Sequence, residues 1–115
     1  MKTYYTQLEK TLQVIGGKWK SRVLYHIITG PQRTGELKRL VPDITQKMLV
    51  QTLRELENDG LIMRKVFNQV PPKVEYSLTE LGHSLEPVLE ALCHWGGDYM
   101  EKTSSKSEVQ NLGTE

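Results

Sequence analysis

The sequence contains a single cysteine, Cys93, so a disulfide bond within the chain is excluded. It also lacks an uninterrupted apolar run of about 18 residues, the length that indicates a membrane-spanning helix. Its first residues, Met-Lys-Thr-Tyr-Tyr-Thr-Gln, do not form the apolar core of a secretory signal peptide. These absences favour a cytoplasmic protein without a membrane partner, in a compartment that keeps thiols reduced.

Clusters of metal-binding or catalytic residues are missing as well. His26, His83 and His94 do not share a ligand-like spacing with Cys93, and adjacent Cys93 and His94 would point about 100° apart on a helix. No serine or cysteine is accompanied by a base and an orienting group in the pattern of an activated nucleophile. We therefore expect no metal, no cofactor and no enzymatic activity.

The net charge is small, but it is unevenly distributed. The formal net charge of the 115-residue chain at pH 7 is only +1. Residues 1–40 hold eight Lys and Arg against two acids, a net of +6, whereas residues 79–115 carry −5 and the segment between is neutral. Because a polyanion responds to the local potential, the basic front half stays compatible with nucleic-acid binding. The length and the 37% apolar content suit one compact domain.

The most informative stretch, residues 45–60, predicts an amphipathic helix. Thr45 suits the N-cap, and Gly60 suits the left-handed residue that ends a helix. At about 100° per residue, Leu49, Leu53 and Leu56 form one apolar arc. The opposite face is rich in Lys, Gln and Arg, which can hydrogen-bond base edges and phosphates in a major groove. Taken alone, this face is more typical of an ordinary solvated surface.

The neighbouring segments change that interpretation. Three helices are predicted before residue 45, over residues 7–15, 18–29 and 35–40, with Thr34 as the cap of the third. A β-hairpin over residues 61–67 and 73–78 follows, with two prolines in its loop. Thr79 then caps a long last helix that Pro87 is expected to kink. This order predicts an α+β, mainly α fold: a winged helix-turn-helix with a C-terminal dimerisation helix.

The last helix carries apolar residues at alternating spacings of four and three, which is typical of a helix–helix seam. A second copy of the chain is the simplest partner for this seam and for the narrow stripe on the first helix, although packing on its own domain is the alternative. We therefore predict one domain over residues 1–102 that forms a homodimer, and a disordered tail over residues 103–115. The predicted dimerisation residues are Leu8, Leu12, Ile15, Leu85, Val88, Leu92, Trp95 and Tyr99.

Several sequence blocks occur in a characteristic order, including Ile15-Gly-Gly-Lys-Trp19, Ile44-Thr-Gln-Lys-Met-Leu49, Leu53-Arg-Glu-Leu-Glu57 and Val70-Pro-Pro-Lys-Val-Glu-Tyr-Ser-Leu-Thr79. In these blocks, and across residues 8–97, the chain resembles the HxlR-type winged-helix regulators. The resemblance implies a bacterial, dimeric transcription factor that binds double-stranded DNA at a nearly two-fold symmetric operator near the genes it controls. It also implies that residues 45–58 form the recognition helix and that the hairpin is the wing.

These implied roles select the candidate DNA-binding residues. Glutamine suits adenine, whereas lysine and arginine suit guanine or phosphate. On the recognition helix the candidates are Thr45, Gln46, Lys47, Gln51 and Arg54; on the wing they are Asn68, Gln69 and Lys73. Arg33, Lys18 and Lys38 are candidate phosphate contacts, while Glu55 and Glu57 are expected to face cations of the protein itself.

One departure from the family pattern concerns its redox chemistry. Many members carry a cysteine just before the first helix that senses oxidants or thiol-reactive compounds, and that position is Thr6 here. A hydroxyl group cannot replace a thiolate in such chemistry. The remaining thiol, Cys93, lies beside the predicted seam, so we expect it to be a buried core residue, with a redox role left open.

Two other functions stay open from sequence alone. The chain could be a winged-helix module that docks another protein and does not bind DNA. It could also be a small-molecule sensor or enzyme with a pocket at the dimer interface, although no convergent set of polar residues supports this. A small-molecule effector that binds between the subunits is compatible with a regulator.

Overall fold

The computed structural model describes the backbone of residues 2–112 and the side chains of residues 5–104. The chain divides into two compact units, Met1–Ser84 and Leu85–Glu115. The elements, in chain order, are α1 (Lys2–Ile15), α2 (Lys20–Ile28), α3 (Thr34–Leu40), α4 (Gln46–Asn58), β1 (Ile62–Phe67), β2 (Lys73–Leu78), α5 (Glu80–His83) and α6 (Glu86–Leu112).

The hydrophobic core of the first unit lies between the helices and the base of the hairpin. α2 packs against α3 and α4, and β1 and β2 contact this helical layer. Burying one large aliphatic side chain stabilises the folded chain by roughly 1.5–3 kcal/mol, so the buried leucines of α4 hold this helix firmly in the unit. The buried apolar residues are Ile15, Val23, Leu24, Ile27, Leu37, Val41, Ile44, Leu49, Leu53, Leu56, Leu61, Ile62 and Leu78.

The hairpin forms as predicted, and it recruits one more residue. β1 and β2 pair antiparallel, with Ile62 opposite Leu78 at the buried end. On the other edge of β2, Gln32 and Tyr76 exchange two backbone hydrogen bonds of 2.9 Å. The extended segment before α3 is therefore attached to the sheet.

Thr79 closes the base of the hairpin. Its hydroxyl donates to the Gly60 carbonyl at 2.6 Å and accepts from the Gly82 N–H at 3.0 Å. Its own N–H donates to the Leu61 carbonyl at 3.1 Å. A Cβ atom on Gly82 would lie 2.1 Å from that carbonyl oxygen, so only glycine permits this close approach. The predicted Thr79 cap is confirmed.

The last predicted helix is interrupted near its start. α5 ends at His83, and α6 begins at Glu86 with Pro87 in its first turn. A proline in the first turn loses no intrahelical hydrogen bond, because the N–H groups there have no intrahelical partner. The prediction of one continuous helix kinked at Pro87 is therefore wrong; Pro87 helps to start a new helix.

Three other helix ends differ from the predictions. α1 begins at Lys2, before the predicted start at residue 7. α3 has Arg33 as its N-cap instead of Thr34, since the Glu36 carboxylate accepts the Arg33 N–H at 2.8 Å. α6 continues to Leu112, through residues 103–112 of the predicted tail, because no glycine or proline interrupts that stretch. Residues 113–115 of that tail lie outside the described residues.

A surface ion pair connects α2 to the turn before α4. The Arg22 guanidinium contacts both carboxylate oxygens of Asp43, at 2.8 and 3.2 Å. The hydrogen bond from Arg22 lowers the pKa of Asp43, and the same bond raises the pKa of Arg22. This bidentate pair fixes the start of the segment that leads into α4.

The order of three packed helices and a hairpin in Met1–Ser84 is that of a winged helix-turn-helix, with α2 and α3 preceding α4, which has one buried and one exposed face. The predicted α+β, mainly α fold is confirmed, and a long C-terminal helix follows it. Within the part of the chain that the structure describes, no helix combines the length and apolar character needed to cross a membrane.

Candidate nucleic-acid interface

The helix α4 is oriented by its buried face and its N-cap. Leu49, Leu53 and Leu56 are each at most 1% exposed, so the face opposite them must point to solvent. The Thr45 hydroxyl accepts the Met48 N–H at 3.1 Å, as predicted for an N-cap. Thr45 is itself exposed, and its hydroxyl proton stays available to donate to another acceptor.

Three of the predicted recognition residues share one exposed stripe. Lys47, Gln51 and Arg54 are all exposed, and helical geometry places them within about 60° of arc. Gln46 is also exposed, but it lies to one side of this stripe at the start of the helix. We call Lys47, Gln51 and Arg54 the α4 stripe. It combines two cations with one amide, a set that suits base edges and phosphates.

Glu55 of α4 and Asp59, the C-cap of α4, lie beside a half-buried cation, Lys20. Lys20 Nζ is 3.7 Å from Glu55 Oε2 and 3.8 Å from Asp59 Oδ2, and it donates to the Gln13 carbonyl at 2.9 Å. Glu55 Oε1 in turn accepts from the Gln51 amide at 3.2 Å. The expectation that Glu55 faces a cation of the protein is confirmed. Glu57 is exposed, and no ion pair involves it among the described side chains.

The wing residues differ in how available they are. Asn68 and Gln69 are exposed in the loop of the hairpin. Lys73, by contrast, is half-buried, with its Nζ 3.0 Å from Glu75 Oε2 and 4.7 Å from the centre of the Phe67 ring. A phosphate contact by Lys73 would therefore have to compete with the Glu75 carboxylate.

The candidate phosphate contacts are dispersed over the first unit. Arg33 is exposed at the start of α3. Lys18 is exposed with its Nζ 4.7 Å from the Trp19 ring, whereas Lys38 is half-buried and donates to the Pro42 carbonyl at 3.4 Å. Of these three candidates, only Arg33 is exposed and has a charged group that no described side chain pairs with or covers.

Sequence reasoning did not select the exposed cations Arg39, Arg64 and Lys65 on α3 and β1. Arg39 lines an open depression with Arg33, Gly35 and Glu36 on α3. Arg64 and Lys65 are exposed on β1, and Lys65 Nζ lies 4.9 Å from the Phe67 ring. Helical periodicity about Leu37 would have placed Arg39 on the outer face of α3. No comparable signal existed for Arg64, because Ile62, on the same face of β1, is buried.

The predicted dimerisation residues are mostly exposed, with two exceptions. In α1, Leu8 and Leu12 are more than half exposed, whereas Ile15 is only 6% exposed and belongs to the core. Since its side chain is already covered within the chain, Ile15 has little surface left for a partner. Leu85, just before α6, is half-buried, and on α6 the rest of the predicted stripe is exposed: Val88, Leu92, Trp95 and Tyr99.

Trp95 and Tyr99 stack on each other along the surface of α6, with ring centroids 5.1 Å apart and planes 13° apart. Cys93 is exposed on the same helix, so the prediction that it is a buried core residue is wrong. The prediction assumed that the neighbouring apolar residues of α6 are buried, but Leu92 and Trp95 are exposed as well.

Among the described side chains, no three His, Cys, Asp or Glu groups are arranged to hold a metal ion.

The sequence matches the HxlR-like helix-turn-helix family over residues 14–104. It is 60% identical over 110 residues to the uncharacterized HTH-type transcriptional regulator YkvN of Bacillus subtilis, covering 96% of this chain and 93% of YkvN. It is also similar to the crystal structure of the HTH-type transcriptional regulator YtcD, with a TM-score of 0.79 and 61% identity over 82% of this chain and 96% of that one. The reduced form of the redox regulator HypR gives a TM-score of 0.82 and 52% identity, covering 86% and 98% of the two chains.

Proposed function

Because this chain belongs to the HxlR-like helix-turn-helix family, we propose that it is a sequence-specific DNA-binding transcriptional regulator. It acts as a homodimer on a pseudo-palindromic operator and controls nearby genes. It is a cytoplasmic protein without enzymatic activity. Close relatives are named as HTH-type transcriptional regulators, which supports the regulatory role.

The α4 stripe is the observation that carries this proposal. Lys47, Gln51 and Arg54 are exposed together on a helix whose opposite face is buried in the core. A major groove accepts an α-helix, and it displays base edges that amide and guanidinium groups can distinguish. The short helix α3 before α4 and the hairpin after it supply the surroundings in which such a helix reads DNA.

Exposed cations on α3 and on the wing support a role in holding the DNA backbone. Arg33 and Arg39 line one depression on α3, and Arg64 and Lys65 extend from the wing. Lysine and arginine release counterions when they contact phosphates, so each such contact adds affinity that weakens with salt. Arg33, which was selected from sequence, and these three additional cations are the proposed phosphate contacts. Lys38 and Lys73 are weaker candidates because an oxygen atom of the protein already contacts each ammonium group. Lys18, like Lys65, lies against an aromatic ring, which does not neutralise its charge.

Homodimerisation is supported by apolar residues that remain uncovered in the single chain. Leu8 and Leu12 on α1, and Leu92 and Trp95 on α6, are all more than half exposed. Soluble chains rarely leave apolar patches of this kind without a partner. A two-fold dimer would bring two copies of α4 into successive major grooves, about 34 Å apart.

The test is a binding titration with the DNA upstream of the protein's own gene, at several salt concentrations. Gln51→Ala is expected to weaken specific binding by roughly 1–3 kcal/mol and to relax the preference at one base pair. Binding to a scrambled duplex of the same length should not change and serves as the control. A chain that does not bind either duplex at low salt would contradict the proposal and favour a protein-interaction module.

A further inference from the structure

We propose that Glu55 and Lys20 are positioning residues that select adenine at the base pair contacted by Gln51. This inference rests on the proposed function, because it requires that Gln51 contacts a base. It goes beyond that function by specifying which edge of the Gln51 amide the protein presents, and which residues impose the choice. Neither Glu55 nor Lys20 needs to contact DNA.

The first step is the hydrogen bond between Gln51 and Glu55. These residues are four apart on α4, and Gln51 Nε2 lies 3.2 Å from Glu55 Oε1. An ionised carboxylate has lone pairs and no proton, so it can only accept. The amide nitrogen must therefore face Glu55, and the opposite orientation of the amide would place two oxygens against each other.

The second step is the contact that holds Glu55 itself. Lys20 Nζ lies 3.7 Å from Glu55 Oε2, the oxygen that does not bind Gln51. Lys20 is in turn held by the Gln13 carbonyl at 2.9 Å, and only 20% of its side chain is exposed. The anchored cation attracts the carboxylate and directs it along the helix surface. Without it, the partly exposed Glu55 side chain would be free to turn to solvent.

The third step is the edge that remains for DNA. One N–H of the Gln51 amide is donated to Glu55, which leaves Oε1 and the other N–H as a neighbouring acceptor and donor. Adenine presents the complementary pair in the major groove, a donor at N6 beside an acceptor at N7. Guanine presents two acceptors, O6 and N7, and would oppose the outward Oε1. The contact between Gln51 and Glu55 thus disfavours guanine as well as favouring adenine.

Two substitutions at position 55 separate this effect from a simple change of charge. Glu55→Gln and Glu55→Met each remove one negative charge, so both should raise affinity for all sequences to a similar extent. In Glu55→Gln, the donor-only ammonium of Lys20 attracts the new amide oxygen and leaves the new NH2 group facing Gln51. The Gln51 amide then turns, and its own NH2 faces the DNA. Glu55→Met offers Gln51 neither a donor nor an acceptor.

The experiment is selection from a pool of random duplexes by the full-length chain and its variants, followed by sequencing of the bound fraction. The wild type should prefer adenine at one position in each half-site by at least about fivefold, and Gln51→Ala should lose that preference. Glu55→Gln should shift the same position towards guanine, whereas Glu55→Met should reduce the preference to about twofold or less. Lys20→Met should weaken the preference without shifting it to guanine.

Lys10→Met is the matched control for the loss of a lysine. Lys10 is exposed on α1, and its side chain makes no hydrogen bond or ion pair within the described part of the chain. Its selected sequence should equal that of the wild type. Thermal unfolding of each variant, followed by circular dichroism, checks that the fold is intact; the 42% exposure of the Glu55 side chain makes both position-55 variants tolerable.

The outcomes distinguish the two levels of the proposal. A wild-type chain that enriches no sequence would overturn the proposed function and this inference together. A wild type that enriches a defined operator, with both position-55 variants keeping its base at every position, would overturn this inference alone. A loss of the adenine preference in Glu55→Met, joined by a shift to guanine in Glu55→Gln, would establish it.

Discussion

The helices α4 and α6 differ in whether their apolar residues are buried within the chain. On α4, Leu49, Leu53 and Leu56 are covered within their own unit. On α6, Leu92 and Trp95 are 52% and 67% exposed. Both helices present apolar side chains at helical spacing, but only α4 buries its stripe within a single chain.

Apolar residues at helical spacing can therefore serve two structural roles. A stripe that is buried within the chain fixes a helix in the fold and so directs its opposite face towards a ligand. A stripe that remains exposed is a surface for another molecule, because apolar area in water carries a cost of roughly 25 cal/mol per Å². The buried face of α4 thus explains the orientation of its polar stripe, whereas the exposed face of α6 predicts assembly.

The largest expected effect tests the buried stripe. Leu53→Ala removes a side chain that is 1% exposed and should lower the free energy of unfolding by about 2–5 kcal/mol. The same substitution at Leu81, which is 57% exposed, should change it by about 0.5 kcal/mol or less. Urea titration at one protein concentration measures both. Equal losses at the two positions would show that α4 is not anchored by its leucines.

The exposed stripe is tested by Trp95→Ala. A tryptophan at the centre of an interface commonly contributes about 2 kcal/mol or more, so the dimer dissociation constant should rise roughly 30-fold. Sedimentation over a range of protein concentrations measures the change. Met63→Ala is the control, since Met63 is an exposed apolar residue of the wing and lies outside the predicted seam. An unchanged dimer in Trp95→Ala would place the interface elsewhere.

The polar faces of the two helices should also differ. Lys47→Ala, in the α4 stripe, should reduce the slope of log affinity against log salt by about one, the expected loss for one phosphate contact. Lys102→Ala removes an exposed lysine from α6 and should leave the slope unchanged. Fluorescence anisotropy on one labelled duplex at four salt concentrations measures both. Similar slopes for the two variants would mean that Lys47 does not contact the DNA backbone.

The smallest expected effect concerns acid stability. The hydrogen bond from Arg22 lowers the pKa of Asp43 in the folded chain, whereas an unfolded aspartate titrates near about 3.9. The pair therefore contributes its full stability above that unfolded value, and the contribution is lost as the pH falls through the lower folded pKa.

Asp43→Asn should therefore flatten the fall in stability below about pH 4 and leave a slightly lower plateau near neutral pH. Asp98→Asn is the comparison on α6, because Asp98 forms no ion pair among the described side chains. Thermal unfolding across an acid series measures both variants. If Asp43→Asn and the wild type show the same dependence of unfolding temperature on pH, the ion pair does not cause the loss of stability in acid.

Sequence patterns predicted most of the fold because local signals and burial agreed in Met1–Ser84. Thr45 caps α4 as expected, Gly60 has a φ of +78°, and the two strands pair over the predicted residues. The error at Pro87 arose because one residue type suits two structural positions. Pro87 fits a kink and a helix start equally well in sequence, and only the break after His83 decides between them.

The exposed face of α4 could be predicted from the sequence, but the contacts between its side chains and the rest of the protein could not. Helical periodicity placed Lys47, Gln51 and Arg54 together, whereas the partners of the remaining candidates depend on tertiary contacts. The pairing of Lys73 with Glu75 could be suspected from strand spacing. The position of Lys20 between Gln13 and Glu55 joins three helices and has no local signature. The exposure of Cys93 likewise depends on contacts that a heptad pattern does not specify.

The bridge between Gln32 and Tyr76 has a consequence for solubility. Sheet edges with unpaired N–H and C=O groups recruit strands from other chains and promote aggregation. Gln32 occupies part of the free edge of β2, and the exposed edge of β1 carries the charges of Arg64 and Lys65. Among the described residues, neither strand of the hairpin therefore offers an edge that is both unpaired and uncharged along its full length to a strand of another copy.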